Sequence, residues 1–335
     1  MSDISIIGAG SWGTALSVVL HKNGHKITIW SALAPEIEML KEKHEQAEKL
    51  PGVILPDDIM FTTDLKEAIE GKDMLVLAVP SPFTRSTAKA MSPFVAEGQL
   101  IVSVAKGIEE NTLMTLSEII MEEIPQCEVA VLCGPSHAEE VGKEIPTSLV
   151  AGAKKRATAE LVQNTFMSEV LRVYTSPDVL GMEIGASLKN VIALAAGMAG
   201  LGYGDNTKAA LITRGISEMG RLALAMGAKY ETLSGLTGMG DLIVTCASKH
   251  SRNRRAGYLM GQGYTMQQAM DEVKMVVEGV YSAKAAIALA KKYHVDMPII
   301  EQVNEVLFEN KPAKDAVKEL MLRDKKVEHD DLEWQ

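Results

Sequence analysis

Over roughly the first 150 residues, short runs of β-branched and aliphatic residues alternate with longer stretches in which apolar positions return every three or four residues. The pattern predicts strands at Ile4 to Ile7, Ile27 to Trp30, Met74 to Val79, Leu100 to Val104, Val129 to Leu132 and Ser148 to Val150, with helical segments between them. Strands that are apolar throughout are buried on both faces, the mark of a parallel sheet covered by crossover helices. Gly8, Pro80, Lys106 and Gly134 close or follow these strands. That puts them at the carboxyl edge, where open α/β sheets bind ligands. From about Ser176 the pattern changes to long segments rich in Ala, Leu, Met, Glu and Lys with no further strand, so the second half reads as all-helical. The expected fold class is α/β, with a doubly wound domain over residues 1–180 and a helical, substrate-binding domain over residues 181–335. A helix expected from about Val179 to Ala196 sits on that boundary and fits either half.

Composition narrows the picture. The 335 residues are 47% hydrophobic and 23% charged, which suits a folded chain of about two domains. Thirty-four Lys and Arg stand against 44 Asp and Glu, a net charge of −10. This balance argues against broad binding to nucleic acid or anionic membrane, and any anionic ligand must be held by local cations. The longest apolar stretch, Val191 to Gly202, has 12 residues, short of the roughly 20 that a bilayer requires, so no membrane span is expected. The N-terminus has no basic segment before its apolar run, and the three cysteines have no metal-like spacing. Both suit a cytoplasmic protein with reduced thiols. No histidine pair has ligand spacing, so no metal site is expected; the 19 methionines read as core filler, and acyl chemistry lacks a G-x-S-x-G elbow. The charged tail from Arg323 to Gln335 reads as a solvated terminus.

Gly8-Ala9-Gly10-Ser11-Trp12-Gly13 fits G-x-G-x-x-G between a strand and a helix, the context that a dinucleotide site requires. Gly8 permits the tight turn, Gly10 lets a pyrophosphate approach the backbone and Gly13 lets the helix pack closely. The free N–H groups of the helix that follows attract the anion, so the first domain reads as Rossmann-like. The second strand normally ends in an acid that accepts the ribose 2′-hydroxyl of NAD. Here Trp30 is followed by Ser31, Ala32 and Leu33, with neither that acid nor an arginine for a 2′-phosphate. The cofactor is NADP or NAD, with a lean towards NADPH.

Cations mark the rest of the site. Lys106 follows a buried-type strand, where a structural lysine has little to do, and Gly134-Pro135-Ser136-His137-Ala138 offers small residues with free amides at the same edge. On a helix, Lys189 would share its face with Gly185, Ala186, Ile192, Ala193 and Ala196. Burial there would lower its pKa and suit it to proton transfer, whereas a place at the helix edge would let it snorkel; the pattern leaves both open. Lys249 to Arg255 packs four cations and no acid into seven residues. Arg252 and Asn253, preceded by the glycine-rich segment that ends in Asp241, read as a phosphate clamp more than as a nucleic-acid face, since no aromatics are interleaved.

Taken together these residues resemble the bacterial-type NAD(P)-dependent glycerol-3-phosphate dehydrogenases. The resemblance runs through GAGSWGTAL at Gly8 to Leu16, SVAKGIE at Ser103 to Glu109, GPSHAEEV at Gly134 to Val141, SLKNVIALAAG at Ser187 to Gly197, LTGMGDLIVTC at Leu236 to Cys246 and SRNRRAG at Ser251 to Gly257. It implies an oxidoreductase that interconverts dihydroxyacetone phosphate and sn-glycerol 3-phosphate, supplying phospholipid synthesis. It implies that Lys189 is the catalytic acid/base. It further implies that Lys106, Gly134, Ser136, Asp241, Ser251, Arg252 and Asn253 hold substrate. Ser11, Trp12, Lys106, Ala138, Arg252, Val276 and Glu278 would join the glycines at the cofactor. The departure from the family is at Ser31-Ala32, where many members carry an arginine for the 2′-phosphate. Two other readings stay open at this level, a related 3-hydroxyacid or ketopantoate-type dehydrogenase and a dinucleotide-binding sensor without turnover. A homodimer is one candidate assembly.

Overall fold

In the computed structural model, which describes residues 1–200 and 202–328, the first half forms one eight-stranded sheet. Its strands are β1 (Asp3–Ile7), β2 (Lys26–Trp30), β3 (Met60–Thr62), β4 (Met74–Leu77), β5 (Leu100–Ser103), β6 (Glu128–Cys133), β7 (Thr147–Ala153) and β8 (Leu171–Ser176). Their spatial order is β3-β2-β1-β4-β5-β6-β7-β8. β1 to β6 are parallel, β7 is antiparallel to β6, and β8 is parallel to β7. The reversal follows from the connections. Between β6 and β7 lies only the four-residue helix Ala138–Val141, too short for a crossover, whereas the helix Arg156–Phe166 carries the chain from β7 back to β8.

Successive side chains of the central strands enter different cores. Ile4, Ile6, Val76 and Val102 pack on one face with Leu16 and Leu20 of the helix Ser11–Lys22. Ile7, Leu75, Leu77 and Ile101 pack on the other with Ala88, Met91 and Ile120. This two-sided burial is why the strands read as continuous apolar runs. Two strands escape that signal. β3 has three residues at the sheet edge, and β8, at the opposite edge, alternates buried Leu171 and Val173 with exposed Arg172 and Tyr174.

The second half is helical, as its composition predicts, and is built around the helix Val179–Met198. Seventeen of its twenty residues are buried. With a mean hydropathy of 1.4 in its most apolar window it is long and apolar enough to cross a bilayer, but 83% of that window lies inside the protein. The helix Arg252–Gly261 crosses it backbone to backbone. A Cβ on Gly197 would stand 2.1 Å from the Arg254 carbonyl oxygen, and one on Gly257 would stand 2.0 Å from that of Leu194. Any larger residue at either position would push the helices apart. The crossing sets the N-terminus of Arg252–Gly261 beside Asn190, one residue from Lys189.

Candidate active site

The carboxyl edge of the sheet and the helical half enclose a cleft of about 980 Å³. Gly8, Gly10, Ser11 and Trp12 line one end of it. Gly8 has φ +127°, and a Cβ there would lie 2.8 Å from the Ala78 carbonyl carbon, so only glycine makes this turn. A Cβ on Gly13 would lie 2.2 Å from the Gly8 carbonyl oxygen, which fixes how closely Ser11–Lys22 packs on β1. Gly10 is the contrast: a Cβ there would meet nothing within 4 Å. The open space over Gly10 and the free N–H groups at the start of a twelve-residue helix fit a dinucleotide pyrophosphate.

The centre of the cleft holds two lysines on one carboxylate. Lys189 is 5% exposed and donates from Nζ to Asp241 Oδ1 at 2.7 Å and to Thr245 Oγ1 at 2.7 Å. Lys106 donates to Asp241 Oδ2 at 2.8 Å, to the Gly134 carbonyl at 3.0 Å and, at 3.5 Å, to Ser136 Oγ. Asp241, 1% exposed, begins the helix Asp241–Ala247 directly after a π-helical turn at Leu236–Gly240. Thr245 stands one turn further along the same helix face, so both partners of Lys189 come from one element. Burial, reinforced by the neighbouring Lys106, lowers the Lys189 ammonium to about 8 even though Asp241 pulls it up. Burial also opposes the charge on Lys106, but Asp241 outweighs it and holds that lysine above its ordinary value. Burial would raise Asp241, yet the two lysines bring it below the usual carboxylate range.

Arg252 lines the cleft at the N-terminus of Arg252–Gly261 and makes no ion pair among the described residues. Ser251 caps this helix, its Oγ accepting from Arg254 N at 3.1 Å, which leaves its O–H free to donate. Asn253 is a tie as much as a ligand candidate. Its Nδ2 donates to Asn190 Oδ1 at 2.9 Å and its Oδ1 accepts from Gly279 N at 2.9 Å. Ala138 and Val276 line the same cleft, as does Glu278, whose Oε1 faces Ser81 N at 3.5 Å across the two halves. Burial raises the Glu278 carboxyl, with Arg252 opposing. Gly134, at φ +141°, turns its carbonyl to Lys106.

Of the residues singled out in the sequence, Gly8, Gly10, Ser11, Trp12, Lys106, Ser136, Ala138, Lys189, Asp241, Ser251, Arg252, Asn253, Val276 and Glu278 line this cleft, and Gly13 and Gly134 shape turns beside it. Lys249, Arg254 and Arg255 of the cationic run do not line it. The structure adds Thr245, Asn190 and His137, whose Nε2 is buried with no hydrogen-bond partner. Thr245 was within reach, standing four residues after Asp241. Asn190 and His137 carry no spacing signal of their own. Of the cysteines, Cys133 and Cys246 are buried and burial pushes both thiols up to about 12, which suits small core residues.

A glycine-loop domain joined to a helical cap, with a buried lysine of lowered pKa between them, defines a two-domain nicotinamide-dependent dehydrogenase. Residues 3–159 match the family model for the NAD-dependent glycerol-3-phosphate dehydrogenase N-terminus, and residues 178–318 match that for its C-terminus. The chain belongs to the NAD-dependent glycerol-3-phosphate dehydrogenase family. It is 72% identical over all 335 residues to glycerol-3-phosphate dehydrogenase [NAD(P)+] of Agathobacter rectalis, each chain covered in full. It is 49% identical to the Bacillus subtilis enzyme of that name, over 99% of this chain and 97% of that one. The crystal structure of glycerol-3-phosphate dehydrogenase from Coxiella burnetii superposes with a TM-score of 0.93 at 36% identity, covering 96% of this chain and 99% of that one. A ketopantoate reductase from Ralstonia eutropha, 17% identical with a TM-score of 0.61 over 95% and 99% of the two chains, shares the fold.

Proposed function

We propose that this chain reduces dihydroxyacetone phosphate to sn-glycerol 3-phosphate with NADH or NADPH, and runs the reverse reaction, in the cytoplasm as a source of glycerol phosphate for phospholipid synthesis. The observation that carries this reading is the Lys189–Asp241–Lys106 cluster at the centre of the cleft, beside the N-terminus that presents Arg252. When bound, the nicotinamide supplies or accepts the hydride. The glycine loop at Gly8, Gly10, Ser11, Trp12 and Gly13 would hold the pyrophosphate, with Lys106, Ala138, Arg252, Val276 and Glu278 along the rest of the dinucleotide.

An ammonium has three N–H donors, and Lys189 gives two of them to Asp241 and Thr245. The third is left for the substrate carbonyl oxygen, where negative charge grows as the ketone is reduced. At pH 7 a lysine of pKa about 8 is mostly protonated yet close enough to neutral to give its proton up. In the oxidation direction the neutral amine takes the proton of the C2 hydroxyl. Asp241 keeps Lys189 oriented and makes the buried Lys189 and the part-buried Lys106 compatible with one another. Lys106 would also reach the substrate by exchanging its long contact to Ser136 for a substrate oxygen. Arg252, the Ser251 hydroxyl and the helix N-terminus would bind the phosphate dianion, remote from the reacting carbon, and so orient it. Asn253 would support that clamp, with Gly134 and Ser136 closing the other side. On this reading the chain divides near residue 180 into a cofactor half and a substrate half.

The test is oxidation of NADH and of NADPH, followed by near-ultraviolet absorbance, with dihydroxyacetone phosphate beside dihydroxyacetone. Turnover that depends on the phosphate is expected. Folded protein that turns over neither cofactor, or turns over both ketones equally, overturns the assignment.

A further inference from the structure

The adenosine end of the cleft holds a charge pair that the end of β2 does not reveal. Ser31, Glu36 and Lys49 all line it. Ser31 Oγ donates to Glu36 Oε2 at 2.6 Å, and Lys49 Nζ binds Glu36 Oε1. Both carboxylate oxygens are therefore engaged, on a side chain only 11% exposed. Lys49 stands 13 positions beyond Glu36, in the segment between the helix Ala34–Lys43 and β3.

This segment is fixed to the cofactor loop. Gln46, fully buried, donates from Nε2 to the Ala9 carbonyl at 2.8 Å, within the glycine turn itself. Leu50, Val53 and Leu55 are buried in the core that also holds Ile4 and Leu16. The Leu55 N–H binds the His44 carbonyl at 2.7 Å and closes the segment at its base. Lys49 is thus presented from an anchored turn.

The end of the second strand is where the 2′ position of a dinucleotide ribose arrives. A carboxylate there accepts a 2′-hydroxyl and repels a 2′-phosphate, while a cation does the reverse. Here both signs are present and locked to each other. We propose that Glu36 and Lys49 act as an exchangeable pair that sets cofactor choice, Glu36 favouring NADH and Lys49 keeping NADPH usable. With NADH, Glu36 accepts the ribose hydroxyl and stays paired. With NADPH, Lys49 turns to the 2′-phosphate and leaves Glu36 facing a dianion without its cation, so NADH is the preferred cofactor. This reverses the lean towards NADPH drawn from the missing acid at Ser31-Ala32.

The inference rests on the cleft being a dinucleotide site, and needs no particular substrate. Its test compares wild type, Glu36→Gln, Lys49→Met and Lys49→Arg in two ways. One is the ratio of kcat/KM for NADPH to that for NADH. The other is the binding of 2′,5′-ADP against 5′-AMP, which reads the adenosine end alone and keeps a failure here distinct from a failure of the substrate assignment. Loss of one charge-assisted hydrogen bond is expected to lower the NADPH-to-NADH ratio about tenfold or more in Lys49→Met, with Lys49→Arg restoring most of it. Glu36→Gln should raise the ratio by a similar factor, and the 2′,5′-ADP preference should follow in each variant. Ratios within twofold of wild type in both Lys49→Met and Glu36→Gln overturn the proposal. So does a wild type that prefers NADPH tenfold, a result that needs no variant to fold.

Discussion

Replacing Asp241 with Asn probes the electrostatics of the site with little change of shape. The carboxylate accepts from Lys189 at 2.7 Å and from Lys106 at 2.8 Å, whereas an amide has a single acceptor oxygen, so one ammonium must face an NH2 group. At an effective dielectric constant of roughly 20, a unit charge pair at 2.7 Å is worth about 6 kcal/mol before desolvation. If only a third of that survives as net support for the charged lysine, its loss lowers the pKa by more than one unit, since one unit corresponds to about 1.4 kcal/mol. Lys189, already lowered to about 8, would then be largely neutral at pH 7. Two consequences follow for Asp241→Asn. The alkaline limb of kcat/KM for ketone reduction moves down by at least about one pH unit. Reduction at pH 7 also loses more activity than oxidation, which uses the neutral amine. The assay is a pH–rate profile in both directions, with thermal unfolding as a check, because removing one partner of a buried ion pair costs about 3–5 kcal/mol. A variant that stays folded and keeps the wild-type limb would refute the claim that Asp241 supports the charge on Lys189.

Lys189→Ala is expected to lower the rate on the order of 10² or more while NADH binding, read by nicotinamide fluorescence, is largely retained; a comparable loss of binding would make this lysine a cofactor anchor instead. Gly13→Ala would set a Cβ 2.2 Å from the Gly8 carbonyl oxygen, so dinucleotide affinity and melting temperature should both fall, and a variant with normal affinity would show that the loop is looser than described. Glu218 caps the helix Pro298–Phe308 from a neighbouring helix, accepting from Ile299 N at 2.8 Å and Ile300 N at 3.3 Å, and burial pushes its carboxyl up to about 7. Between about 4.5 and 7 the folded chain holds this proton more tightly than the unfolded chain, so its contribution to stability falls as pH rises through that window. Glu218→Gln should flatten that part of the stability curve measured by denaturant unfolding, and an unchanged slope would assign the pH dependence elsewhere.

The parts of the fold legible in the sequence were those whose physics is local. The four central strands β1, β4, β5 and β6 announce themselves because both faces are buried, and the glycine loop because its three glycines meet steric demands at fixed spacing. β3 and β8 were missed because an edge strand needs neither length nor continuous apolarity, and β8 exposes Arg172 and Tyr174 between buried neighbours. At the site, Lys189 could be placed on a small-residue helix face, but the pattern could not decide between burial and snorkelling. That was decided by Asp241 and Thr245, which bind Lys189 from a helix 52 and 56 positions further along the chain. Distance in sequence also hid Lys49, which lines the cleft beside Glu36 from an anchored turn rather than from the end of β2.

The central claim is that a buried lysine, lowered to about 8 and held by Asp241 and Thr245, carries the proton in both directions of the reaction. The most direct test is kcat/KM of the wild-type protein from pH 6 to pH 10, measured for dihydroxyacetone phosphate reduction and for sn-glycerol 3-phosphate oxidation. The account predicts that reduction falls and oxidation rises through one shared pKa near 8. Profiles that bend in the same sense, or that share no pKa in that region, would contradict it.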